Sequence, residues 1–326
     1  MSFRAVLAWP LAALALLAAS VCASWAQDYP ARQITMIVPF AAGGPTDVVA
    51  RVVSAHMAQT LGQPIVIENA VGAGGTTGAA RAARAAPDGY TLITGHMGTH
   101  AAAVPLYPKL AYHPEKDFEP IAQLAGTPIL VLARKDFPAS DLKAFVAYLK
   151  ANTDKLNMAH AGVGSVSHVS CELFNSILGI KPTGVPFNGT GPAMNALVGQ
   201  QVDYMCDQVI NAVPQIRGGT IRAYAVATPE RNPSLPELST TAEAGLAAFQ
   251  VSAWNAMFAP KGTPEPILAR LNAAAAKALD DENVRKRLLD LGSDIPKLDE
   301  RSRAALGRLV QSEIARWSGV LKTAQN

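Results

Sequence analysis

Apolar residues in this chain fall into short runs, separated by longer stretches where they recur every three or four positions. Nine runs read as strands: Ile34–Phe40, Ile65–Glu68, Thr91–Gly95, Ile129–Arg134, Asn157–His160, Gly184–Phe187, Asp203–Cys206, Ile221–Ala227 and Val251–Ala259. After the first run, Val49, Val52, Val53, His56 and Met57 share one helical face. After Asn157–His160, so do Val166, Val169, Ser170, Leu173, Phe174, Ile177 and Leu178. Three helices close the chain at Pro264–Leu279, Asp281–Leu291 and Asp299–Lys322. Strands alternating with helices predict an α/β fold with mainly parallel sheets.

The first 26 residues stand apart. Arg4, the apolar run from Ala5 to Ala19 and the small-residue ending Ser24-Trp25-Ala26 read as a signal peptide cleaved after Ala26. The run is shorter than the roughly 20 residues of a membrane span. The expected product is a soluble, exported chain. Cys22 follows Val21, a poor match to lipoprotein processing. At 326 residues, 49% hydrophobic and 16% charged, the chain is long enough for two cored domains. The formal charge is +3, and the leader contributes only Arg4, a balance that argues against nucleic-acid binding. The remaining cysteines, Cys171 and Cys206, are an even pair that allows one disulfide or two buried thiols.

Two segments carry candidate binding chemistry. In PFAAGGPTD, Pro39 to Asp47, glycines let the backbone approach a ligand, and Thr46 or Asp47 opens a helix whose first amides lack partners. Helix starts of this kind attract anions. AHAGVGSVSH, Ala159 to His168, repeats the design with Gly162, Gly164 and a Ser165 cap. Each loop alone reads equally as a tight turn, but the matched pair suggests two jaws. His160 and His168 flank the second loop as candidate carboxylate contacts or caps. His96 and His100 bracket GHMGTH, where Thr99 is expected to face a cleft beyond the strand end. Asp207 reads as a cap opening a helix, or as a group that holds a water or loop in a carboxylate receptor.

Other chemistries lack their signatures. The glycines of ENAVGAGGTTGAARAA, from Glu68, are spaced GxGGxxG rather than GxGxxG, and no Walker lysine follows a glycine loop. No GxSxG, HExxH or zinc-type cysteine spacing occurs. No cofactor and no metal are expected.

The chain resembles the Bug receptors, the extracytoplasmic binding proteins of tripartite tricarboxylate transporters. The resemblance spans the mature sequence and is carried by YPARQITMIVPFAAGGPTDVVAR, LGQPIVIENAVGAGGTTG, APDGYTLITG, GTGPAMNALVGQQVDYMCDQ, ATPERNPSLPELSTTAEAG and FAPKGTPEPILARLN. It implies a two-lobed periplasmic-binding-protein type II fold, with lobe one at 28–127 plus 252–326 and lobe two at 128–251. It also implies a small carboxylate, a di- or tricarboxylate or an aromatic acid, gripped partly through ordered waters. The implied grip is Phe40, Ala41, Ala42, Gly43, Gly44, Thr46 and Asp47 facing His160, Ala161, Gly162, Val163, Gly164, Ser165 and His168. Val71 departs from the family's usual Arg-Pro, and His160 from its usual serine. The implied role is a periplasmic receptor that hands its ligand to inner-membrane subunits without catalysis; a monomer is the default expectation. The rival readings are an exported enzyme, with Ser165 as nucleophile and His168 or His160 as base, and a ligand-dependent sensor module.

Overall fold

A computed structural model describes residues 29–325; the expected signal peptide and Cys22 lie outside the described residues. The nine strands are β1 (Ile34–Val38), β2 (Ile65–Asn69), β3 (Thr91–His96), β4 (Phe118–Arg134), β5 (Asn157–His160), β6 (Thr183–Pro186), β7 (Tyr204–Gln208), β8 (Ile221–Val226) and β9 (Ser252–Pro260). They build two five-stranded sheets that share β4. The first runs β2-β1-β3-β9-β4, and the second runs β6-β5-β7-β4 with β8 on the far side of β4.

The sheets are not mainly parallel, as the alternation of elements suggested. β1 pairs in parallel with β2 and β3, and β5 with β6 and β7, but every ladder that involves β4 or β9 is antiparallel. The reason lies in β4, a 17-residue strand of which the sequence pattern revealed only the second part. Pro120, Gly126 and Pro128 interrupt its first part, and such residues normally argue against a strand interior. The chain accommodates them with register shifts between Pro120 and Ala122 and between Gln123 and Ala125. Pro128 opposite Ser252 is the last pair between β4 and β9, and the next residue, Ile129, already pairs with Gln208 of β7.

The helices that matter for the site follow strand ends. α1 (Pro45–Leu61) follows β1, α2 (Thr76–Ala83) follows β2, and α3 (Ala103–Leu106) closes the turn after β3. α4 (Leu142–Asn152) precedes β5, and α5 (Val166–Leu178) follows it. α6 (Thr190–Val198) and α7 (Val209–Arg217) begin just after β6 and β7. α8 (Glu265–Asp280) packs on α1 and β4, and α9 (Glu282–Asp290) extends it. α10 (Arg303–Gln325) lies against β4 and α3 and also reaches α5, so it touches elements of both sheets. β1, ITMIV, is almost wholly buried between neighbours, as a central parallel strand requires.

Candidate ligand-binding site

The site grows from the β1–α1 loop. Asp47, in the first turn of α1, is buried. It accepts from the Gly43 amide at 3.0 Å, from Arg51 Nε at 2.8 Å and from Asn69 Nδ2 at 2.9 Å. Burial raises its pKa, but these donors outweigh the burial and hold the carboxyl below its ordinary range. Asp47 therefore fastens the loop, and its charge is already spent there. Gly44 caps α1 without any side chain, and Pro45 follows it.

Across the cleft, Ser165 caps α5 by accepting from the His168 amide at 3.2 Å. Ser167 Oγ accepts from the Ala161 amide at 2.9 Å and lies 3.2 Å from Ser165 Oγ. His160 and His168 do not line the chamber they were expected to serve. Their Nδ1 atoms accept from the amides of Gly162 at 3.1 Å and Gly164 at 3.3 Å, so each ring braces the glycine loop from behind. Burial lowers both pKa values, that of His168 to about 4, which keeps the accepting nitrogens unprotonated.

Thr99 is likewise withdrawn. Its hydroxyl contacts the His96 backbone and lies 3.0 Å from His100 Nδ1, and it lines no chamber. Asp207 does not open a helix: it lies in β7, and Gln208 caps α7 instead. The strand runs two residues further than its apolar run, and Asp207 is fully buried, accepting from the Gln208 amide at 2.8 Å and from Asn211 Nδ2. Cys171 of α5 and Cys206 of β7 form a disulfide with their Cα atoms 5.2 Å apart.

The residues that do converge line two adjoining chambers. The inner one, about 10 Å³, is lined by Phe40, Pro45, Thr46, His96, Ala161, Ser165, Val166, Ser167, Thr190 and Gln208. That is room for roughly one water. These residues bring four helix starts to one point: α1, α5, α6 and α7. Those of α1, α6 and α7 carry no side-chain cap, so their first-turn amides lack the usual acceptor. His96 was noted in the sequence but not selected. Its Nδ1 accepts from the amides of Gly98 at 2.9 Å and Thr99 at 3.2 Å, which leaves the proton on Nε2 as a donor. Burial lowers its pKa to about 4, and its ring stacks on Phe40 at 4.8 Å.

The outer chamber, about 490 Å³, shares Phe40 and Ala161 with the inner one and adds Gly72, Ala73, Gly74, Gly75, Tyr107, Gly162, Val163, Pro186, Phe187 and Asn188. Neither lining contains a lysine or arginine. The glycine segment that fails as a dinucleotide fingerprint thus forms one lip of the cleft. The two sides touch: Ala41 donates its amide to Asn188 O at 3.0 Å, and the Tyr107 hydroxyl reaches Val163 O at 2.7 Å. Ala42 and Gly43 pack beside Gly191 at the start of α6.

The chain matches the tripartite tricarboxylate transporter family receptor over residues 49–325. The chain belongs to that family. It is 59% identical to MatC from Rhodopseudomonas palustris, solved with bound malate, at a TM-score of 0.88 over 90% of this chain and 99% of that one. The periplasmic binding protein BugD is 42% identical, with a TM-score of 0.88 over 91% of this chain and 99% of its own. A second R. palustris protein, solved with adipate, is 34% identical, with a TM-score of 0.87 over 91% and 98% of the two chains. The fold of this family member is therefore that of periplasmic binding proteins, and its relatives are solute receptors.

Proposed function

We propose that this chain is a periplasmic solute receptor that closes two lobes around a small dicarboxylate and passes it to the membrane subunits of a tripartite transporter, without chemistry. The lobes are 28–127 plus 252–326 and 128–251, and they move about the residues where β4 leaves β9 and begins to pair with β7. The observation that carries this reading is the meeting of four helix starts, three uncapped, on a chamber lined by no lysine or arginine. Backbone amides and helix dipoles stabilise a carboxylate there, and closure strengthens their hold by removing water. One carboxylate lies where the chambers join, beside Phe40 and Ala161, and reaches the helix starts directly or through the single inner water. The rest of the acid fills the outer chamber, whose size suits a small ligand. The malate and adipate found in two relatives support this ligand class.

The absence of turnover is supported by Ser165: its hydroxyl serves as a helix cap, and the described hydrogen bonds connect it to no imidazole nitrogen. The test is thermal unfolding of the mature protein with malate, adipate and aromatic monoacids, followed by mass spectrometry of the recovered acid. Ligand at 100 times its dissociation constant adds roughly 2.7 kcal/mol. A shift with dicarboxylates and an intact acid are expected; a flat panel, or a consumed acid, overturns the receptor reading.

A further inference from the structure

Gln208 occupies an unusual position, being at once the last residue of β7, the cap of α7 and part of the inner chamber's wall. Its side-chain oxygen accepts from the Thr127 hydroxyl at 2.7 Å and from Asn255 Nδ2 at 2.9 Å. Thr127 lies on β4, the strand that passes from one sheet to the other, and Asn255 on β9, its neighbour in the first sheet. Thr127 lies one residue before Pro128, where pairing with β9 ends, and it stands opposite Ala253. Asn255 stands opposite His96 of β3, which also lines the chamber. With its oxygen held by two donors, Gln208 turns its amide nitrogen away from them, and no described protein group accepts from that nitrogen. Thr127 and Asn255 themselves line neither chamber.

We propose that Gln208 is a binding residue that couples ligand to lobe closure: its amide nitrogen donates to the bound carboxylate, directly or through the inner water, while Thr127 and Asn255 hold its oxygen beside the point where β4 passes between the sheets. This inference rests on the receptor reading and adds the route by which an occupied chamber is felt where β4 changes partners. An amide can serve both sides because its donor and its acceptor are separate, diverging groups. A carboxylate in the same place would lack the donor. Thr127 then affects affinity without touching the acid, by preventing the Gln208 amide from rotating.

The experiment is a double-mutant cycle on malate affinity by calorimetry, with the radius of gyration measured by X-ray scattering with and without malate. Thr127→Val, which keeps the shape and removes the donor, is expected to weaken binding about tenfold. Thr127→Ser, which restores the hydroxyl, stays within about twofold of wild type. Gln208→Met loses at least as much as Thr127→Val, and the Thr127→Val/Gln208→Met protein is no weaker than Gln208→Met alone, with the same reduced compaction on adding malate. If Thr127→Val fails to fold, Thr127→Ala takes its place. Losses that multiply in the double variant, or serine and valine behaving alike at residue 127, overturn the inference while leaving the receptor reading intact. Wild-type protein that takes neither malate nor adipate removes both.

Discussion

Gly74 meets Val163 backbone to backbone across the mouth of the cleft: a Cβ added at Gly74 would lie 2.8 Å from the Val163 carbonyl carbon and closer still to its oxygen. Gly74 also holds φ at +61°, where glycine alone is unstrained. The two lips can approach this far only because Gly74 has no Cβ. Gly74→Ala is expected to prevent full closure, to weaken malate binding at least tenfold, and to lower the unliganded melting temperature by only a few degrees. Calorimetry paired with X-ray scattering checks this. Wild-type affinity in Gly74→Ala would mean that the lips do not meet in the ligand-bound state.

Asp207 supplies a pH prediction of unusual sign. Burial, opposed by bonds from Asn211 and the Gln208 amide, pushes its carboxyl up to about 7. A folded pKa above the unfolded value of about 3.9 means that the native state binds the extra proton between the two, so this contribution is present in acid and lost as pH rises through 7. Asp207→Asn keeps the shape and never ionises. It is expected to raise the melting temperature at pH 8 and, by a clearly smaller amount, at pH 5. His96 and His168, lowered to about 4, and His100, lowered to about 3, act the other way. Their stabilisation is present above about 6.5 and fades as pH falls toward 4 in wild type and variant alike. An equal difference between the proteins at both pH values would remove Asp207 as the cause.

The candidate grip was legible where chemistry and local pattern coincide. The cap by Ser165, the glycine turn before α5 and the loop before α1 follow from residue type and spacing, and the structure sets these two loops face to face. What spacing could not reveal was which donors are already in use. His160, His168 and Thr99 have the right chemistry for a carboxylate, yet the Nδ1 atom of each imidazole and the Thr99 hydroxyl already have partners fixed by the tertiary fold, and Asp47, which can only accept, is spent on its own loop. Thr190 and Gln208 were missed for the opposite reason, since a helix start without a capping residue leaves no mark in the sequence. In the fold, the first part of β4 stayed hidden behind its prolines.

Cys171 and Cys206 join the helix behind the second glycine loop to the strand that ends in Gln208, across 35 residues of chain. A crosslink over a loop of that length stabilises by roughly 2–4 kcal/mol, chiefly by restricting the unfolded chain. Reduction should add two hydrogens to the mass and lower the denaturant midpoint. Because neither cysteine lines a chamber, malate affinity of the reduced, folded protein should stay within about twofold of the oxidised form. A reduced protein with unchanged stability would show that the bond adds nothing to the fold.

Tyr107 closes the outer chamber from the first sheet's side. Its hydroxyl lies 2.7 Å from Val163 O on the opposite lip and 3.1 Å from Ala73 O on its own, and its single proton serves one of them at a time. Such a bond exists only when the cleft is shut. It therefore opposes opening but contributes nothing to the first encounter with ligand. Tyr107→Phe keeps the ring against the loop and removes only the bridge. A net hydrogen bond of roughly 0.5–1.5 kcal/mol corresponds to about a twofold to tenfold change in rate. Stopped-flow measurements on Tyr107→Phe should therefore show malate leaving faster by that factor while its association rate is unchanged, because association precedes closure. A slower association with an unaltered dissociation rate would instead make Tyr107 part of the path by which the acid enters.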